Sequence, residues 1–335
     1  MKILYITHVN EKNLVQNDYL NDCVLLGLKE LYGNSNVIDF PGAYYMYKDE
    51  FKKKQLTFEN FWGNGFTFYN ILDEYENVDR TDIEKKIKNN FFEYIIYGSI
   101  TRSQLYINEA INSKSKVILI DGEDHTNLEI NKNKNIIYFK RELIKKDSNI
   151  FPINFSVPSS KILNKINENP KNLLAPLIPH RYNTYIYKEE LDYYNMWQNS
   201  IFGLTYVRGG WWDALRYYEM LMNGCIPLII NLEKCPENTL TFLPKEKLIK
   251  LFTTYSWILN QYFPLKIYKK KFLSVNKFLK YFKNFYKKKY DSDKFINEFK
   301  EVNEVRRELL KYTKDYLTTE YSAKYIINTT NKFYS

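Results

Sequence analysis

The chemistry-bearing residues of this chain gather first between Tyr206 and Pro244. There an apolar run ends in Arg208-Gly209-Gly210-Trp211-Trp212-Asp213 and a helical pattern begins. Two glycines let the backbone turn tightly and come close to a ligand. A strand end, a glycine turn and a helix N-terminus together make an anion site. Arg208 adds a charge-assisted donor suited to a diphosphate. Asp213 stands at an N-cap position, Gly224 where a left-handed residue ends the helix, and Pro227 just beyond. Arg216 and Glu219 are three apart and share a helix face. A carboxylate so placed accepts hydrogen bonds from two ribose hydroxyls. The same pair also reads as a solvated ion pair worth a few tenths of a kcal/mol.

A second constellation is Asp121-Gly122-Glu123-Asp124-His125, directly after the apolar run Val117–Ile120. Carboxylates and an imidazole at a strand end suit a general base that deprotonates a hydroxyl. Asp121 is the first candidate, with Glu123, Asp124 and His125 behind it. A polar turn in which Asp121 satisfies backbone amides is the competing reading. Asp-Gly-Glu is only loosely a metal motif, so no metal is expected. The chain's three histidines, His8, His125 and His180, each follow an expected strand, and ligands of parallel sheets bind at that edge. His8 suits a ligand contact or a cap. His180, beside Arg181, suits donor phosphates or a surface loop. Arg141, in Tyr138–Glu142, is a further basic residue at a strand end.

The elements that must position these groups alternate between short apolar runs and helical patterns, as in α/β layers. Strands are expected at Ile3–Thr7, Val37–Phe40, Tyr94–Tyr97, Val117–Ile120, Ile136–Phe139, Leu173–Leu177, Ile201–Val207 and Ile226–Ile230. Helices are expected at Tyr19–Leu31, Ile83–Asn89, Ser103–Asn112, Lys188–Asn199 and Asp213–Asn223, with helices dominating the remainder. Lys161–Lys171 reads as a linker. At 335 residues two domains are expected, 1–165 and 166–335, each Rossmann-like, facing a central cleft. The closing helix, Ser322–Lys332, is expected to pack back on the first domain.

The run Arg216-Tyr-Tyr-Glu219 followed by Asn223-Gly-Cys-Ile-Pro227 resembles the donor-binding helix and next strand of GT-B glycosyltransferases, above all the exostosin-like group. The resemblance covers about forty residues; elsewhere only the α/β outline agrees. It implies a nucleotide-sugar as substrate, with no cofactor, and a glycan or lipid-linked hydroxyl as acceptor. It also implies that Glu219 binds the donor ribose and that Arg208–Gly210 lies near the diphosphate; Arg216 is the Arg that precedes the acidic position, and the reading of the residues above adds Asp213 and His180 to the donor side. Retaining enzymes of this architecture carry two glutamates eight apart. Here Trp211 stands at the upstream position, which favours inversion. The alternative is a non-catalytic, two-lobed protein that binds a nucleotide or a glycan.

Composition narrows the field. The 31 Tyr, 22 Phe and only 11 Gly point to a genome-wide bias, so aromatic and lysine counts carry little weight alone. The formal charge of +10 suits anionic partners, yet no nucleic-acid motif accompanies it. No Gly-x-Gly-x-x-Gly turn follows the first strand, which argues against a nicotinamide-dependent dehydrogenase. Three cysteines without metal spacing, no signal peptide and no membrane-length apolar run suggest a cytoplasmic protein. From Lys247 to Tyr290 no acidic residue occurs, and lysines crowd among aromatics over 266–289. That stretch suits either an anionic membrane surface or a helical bundle with a solvated basic face.

Overall fold

The computed structural model describes residues 1–9, 18–128, 134–179, 181–206, 212–256, 258 and 292–335. Arg208, Gly209, Gly210, Trp211, His180 and the basic stretch 266–289 lie outside the described residues.

The first half builds a six-stranded, all-parallel sheet. Its strands are β1 (Ile3–Ile6), β2 (Val37–Phe40), β3 (Tyr94–Tyr97), β4 (Lys116–Asp121), β5 (Ile137–Lys140) and β6 (Ile150–Pro152), in the order β2-β1-β3-β4-β5-β6. Ile3 pairs with Val37 on one side and Tyr94 on the other, so β1 is central. The chain leaves β1 to one side for β2 and crosses to the other for β3, which makes their carboxyl ends a topological switch point. The strands read as unbroken apolar runs because both faces are covered. Ile3, Tyr5, Ile96, Ile118 and Phe139 enter one core, while Leu4, Ile6, Ile95, Val117 and Tyr138 enter another. The period of two in side-chain direction thus divides one sheet between two cores.

The helices of this half are α1 (Tyr19–Tyr32), α2 (Lys48–Lys53), α3 (Ile83–Lys88) and α4 (Ile107–Asn112). Asp18 caps α1, its side chain accepting from the amides of Leu20 and Asn21. A buried charge cluster joins α1 to β2. Asp39 accepts from Lys29 at 3.1 Å and Arg80 at 2.9 Å, and from the Ala43 amide and the Tyr47 hydroxyl. Burial pushes the Asp39 carboxyl up, but Lys29 and Arg80 more than offset it and hold the group below its usual range.

The second half forms a three-stranded parallel sheet, β7 (Asn172–Leu174), β8 (Ser200–Tyr206) and β9 (Ile226–Ile230), in sequence order. It carries α5 (Glu190–Gln198), α6 (Leu215–Met222) and α7 (Lys245–Tyr255), followed by α8 (Ser292–Tyr316) and α9 (Thr319–Tyr334). Gly224 ends α6 with φ +68°, its amide donating to Leu221 O and that of Cys225 to Met220 O. This double backbone closure after a left-handed residue is the stop expected at Gly224.

Lys161–Lys171 is anchored rather than free. Ile162 and Ile166 are buried, Leu163 donates to Met222 O, and Arg306 of α8 donates to Asn167 O. The last helix does return to the first sheet: α9 packs along α1, and Tyr334 donates to Val117 O on β4. Gly27 permits this, since a Cβ there would lie 2.0 Å from Thr319 O. The architecture is α/β and compatible with Rossmann-like units. Among the described residues no helix is long and apolar enough to cross a membrane.

Candidate functional site

The carboxyl ends of the two sheets meet. Residues after β5 and β6 touch the segment between β8 and α6 and the loop after β9. Arg141 donates to Asp213 O at 2.6 Å, Phe155 N to Asp213 Oδ2 at 2.9 Å, and Thr239 Oγ1 to Leu143 O at 2.8 Å. The Phe242 amide and the Thr241 hydroxyl both donate to Asn154 Oδ1.

Arg141 sits at the centre, 1% exposed. Its guanidinium reaches Gly122 O, the Asp124 carboxylate, Glu142 Oε1 and Asp213 O, over the ring of Phe155. Burial would lower its pKa, but Asp213, Glu142 and Asp124 outweigh that and raise it, so it remains a cation. It thereby ties the loop after β4 to the segment before α6, joining two constellations that are far apart in sequence.

The Asp121 cluster divides by role. Asp121 is fully buried and accepts from Lys140 at 2.8 Å, Tyr138 at 2.5 Å and the Glu123 amide at 3.0 Å. Two donors hold one carboxylate oxygen and a third holds the other, in a side chain shut off from solvent. Its environment therefore gives it a positioning part rather than that of first-choice base. Glu123 accepts from Thr101 and Arg102. Burial would raise its pKa, but Arg102 more than offsets this and lowers it. Asp124 holds Arg141 yet keeps a half-exposed side chain, and His125 stands half-buried, close enough to Glu123 to help lower its pKa. His8 is half-buried at the carboxyl end of β1.

Before α6 the structure departs from expectation. Asp213 does not cap the helix; Ala214 stands at the N-cap, with no side-chain cap bond. The amides of Trp212 and Asp213 do bind an anion, and that anion is the chain's own Glu142. Its carboxylate accepts from Trp212 N at 3.0 and 3.1 Å and from Asp213 N at 3.0 Å. Asp213 itself is buried. Tyr218 points its hydroxyl at the carboxylate without closing a well-formed hydrogen bond. Burial pushes the Asp213 pKa up to about 6 against the pull of Arg141, and Glu142 adds to the rise.

Glu219 and Arg216 lie apart from this junction in their contacts. Glu219, 8% exposed, accepts from Thr67 Oγ1 at 2.6 Å and Tyr193 Oη at 2.7 Å. Both oxygens are thus engaged by hydroxyls of the chain itself, where ribose hydroxyls were expected. Arg216 donates to Tyr185 Oη at 3.2 Å and lies over that ring, and so its hydrogen bond goes to Tyr185 and not to Glu219. Among the described residues no group of His, Cys, Asp and Glu converges to hold a metal ion.

No protein-family model matches the chain, and no curated protein matches it significantly.

The run Tyr138–Glu142 was read from sequence only as a basic strand end around Lys140 and Arg141, without parts for Tyr138 and Glu142, and Thr67 and Tyr193 were not singled out at all. Lys140 and Glu142 flank Arg141, so a charged triplet after a strand was a usable signal. Thr67 and Tyr193 had none.

Proposed function

We propose that the protein is a glycosyltransferase of GT-B arrangement that moves a sugar from a nucleotide-sugar to a hydroxyl of a glycan or lipid-linked acceptor. One observation carries the reading: the carboxyl edges of two parallel sheets abut, and Arg141 bridges the acid-rich loop after β4 to the segment before α6. Ligands of parallel sheets bind at such edges.

In this reading 1–165 is the acceptor side and 166–335 the donor side. Asp124, whose side chain is half-exposed, and His125 beside it receive the acceptor proton, while Asp121 and Lys140 hold the loop that carries them. Arg141 holds the loop after β4 against the segment before α6, so that groups of both halves are fixed relative to one another. Arg208–Gly210 contributes backbone and charge as the resemblance implies. No step needs a metal or cofactor. The free thiols of Cys23, Cys225 and Cys235 suit a reducing compartment such as the cytoplasm.

A binding role without turnover is the second reading. Its support is that Asp121 and Glu219, given the chemical roles from sequence, are both buried and hydrogen-bonded within the chain. A thermal-shift panel of nucleotide-sugars and nucleoside diphosphates tests donor recognition. A donor at a hundred times its Kd adds about 2.7 kcal/mol of stability. A shift with one nucleotide-sugar is the expected result, and no shift with any of them would remove the donor from the account.

A further inference from the structure

Asp22, in the first turn of α1, is fully buried, and among the described residues no cation lies within ion-pair distance of it. Asp39, Asp121 and Glu142 are each paired, with Lys29 and Arg80, Lys140 and Arg141. Glu219 lacks a paired cation too, but a hydroxyl reaches each of its oxygens. In Asp22 the Tyr45 hydroxyl at 2.8 Å and the Asn21 side-chain amide at 3.0 Å both donate to Oδ1, and Oδ2 is buried without a hydrogen bond.

The surroundings do nothing to supply the missing charge. Asp18 stands four residues earlier on the same face of α1 and adds a like charge. Its Oδ1 caps the helix, and its Oδ2 is likewise buried without a hydrogen bond. The other titratable groups facing Asp22 are Tyr5 of β1, Tyr45, Tyr69 and the neighbouring thiol of Cys23. Phenols and thiols carry no charge at neutral pH unless their pKa is depressed. An ionised carboxylate so placed is costly, and the group holds its proton instead. Burial, with Asp18 adding to it, pushes the carboxyl up to about 7 against the pull of Tyr45 and Asn21.

This turn touches the junction. The Asp18 carboxylate lies against Gly122, where a Cβ would come within 3.0 Å of Oδ1. Gly122 O accepts from Arg141 Nε at 2.9 Å, and Arg141 donates to Asp213 O at 2.6 Å. Asn21 lies against Gly98 after β3, where a Cβ would be 2.2 Å from its Oδ1. Contacts this close leave the turn no room to shift without moving the strand ends it meets.

We propose that the first turn of α1 is a pH-sensitive switch. Loss of the Asp22 proton sets a second, unpaired charge beside Asp18, loosens the turn and moves Gly122, and with it the loop that carries Asp124 and His125. Because the folded chain holds this proton more tightly than the unfolded chain, the closed turn is favoured at low pH. It gives way as pH rises through about 7. The coupling is one of charge and contact and holds whether or not sugar is transferred at the junction.

Carboxyl-detected NMR of the full-length protein reads the Asp22 titration directly. A midpoint near 7 is expected, and one near the ordinary aspartate value of about 4 would overturn the proposal. The Gly122 amide signal reads the transmission. It should step with the same midpoint in the parent and in His125→Gln, which removes the imidazole of the same loop as a competing source. In Asp22→Asn, whose neutral side chain has the shape of the protonated acid, the step should vanish. A step that persists in Asp22→Asn, one that vanishes in His125→Gln, or none in the parent would overturn the switch. Should Asp22→Asn not fold, coincidence of the Asp22 and Gly122 midpoints in His125→Gln decides.

Discussion

Asp39 and Asp213 are both buried carboxylates, one in each half of the chain, and their surroundings drive them in opposite directions. Asp39 sits between two cations, Lys29 and Arg80, with two further hydrogen bonds, and is held below the usual carboxylate range. At the junction the balance is reversed. Asp213, Glu142 and Asp124 share Arg141, and Asp213 rises to about 6. Burial is alike; the count of nearby charges decides. Between α1 and β2 two cations face one carboxylate and keep it charged. An acid surplus kept at the meeting of two sheets costs stability and is the pattern of functional sites.

The largest effect should come from the Asp39 cluster. Asp39→Ala strands Lys29 and Arg80 and should cost about 3–5 kcal/mol; denaturant unfolding would read it. A loss below about 1 kcal/mol would mean that the cluster is well solvated and the comparison ill-founded.

Next comes the pH dependence of the junction. The pKa of Asp213 is raised on folding, so its stabilising contribution is full below the unfolded value. It is lost as pH climbs from about 4 to about 6. The lost stability should be roughly 3 kcal/mol by linkage, and Asp213→Asn should flatten that part of the profile. Asp39 has the opposite sign: its contribution holds above the unfolded pKa and fades as the solution is acidified below it. If both variants altered the profile in the same sense, the contrast would fail.

A smaller effect is expected at Glu142→Gln. Glu142 raises the Asp213 pKa, so removing its charge should bring Asp213 below about 6 in a carboxyl-detected NMR titration. An unchanged value would show that burial alone sets it. Smallest of all, Asn195→Ala on the surface of α5 should leave unfolding within about 0.5 kcal/mol of the parent.

Much of the fold was legible because buried parallel strands are short, continuous apolar runs. Val37–Phe40, Tyr94–Tyr97 and Ile226–Ile230 match their strands end to end. β6 was missed because it has three residues and ends in proline, which lacks a ladder donor and is tolerated here at the end of an edge strand. Helix starts were read early: α4 begins at Ile107 rather than Ser103, and α6 at Leu215 rather than Asp213. For α6 the reason is visible, since Asp213 turns its carboxylate to Phe155 N across the junction.

The site was legible as residue types but not as pairings. Asp121 was named from sequence, yet its hydrogen bonds with Lys140 and Tyr138 depend on β4 and β5 lying side by side. The anion-binding amides were anticipated, but their occupant, Glu142, comes from seventy residues upstream. Glu219 meets Thr67 across 152 positions. No spacing rule within a helix reaches that far.

The central claim is that sugar transfer occurs where the two sheets meet, with Asp124 and His125 receiving the acceptor proton. The most direct measurement is nucleoside diphosphate release from a panel of nucleotide-sugars, with acceptor glycans, by the parent and by Asp124→Asn and His125→Gln. Release from one donor, reduced at least a hundredfold in one of the variants while the donor-induced thermal shift persists, is the predicted result. No release from any donor, or variants as active as the parent, would contradict it.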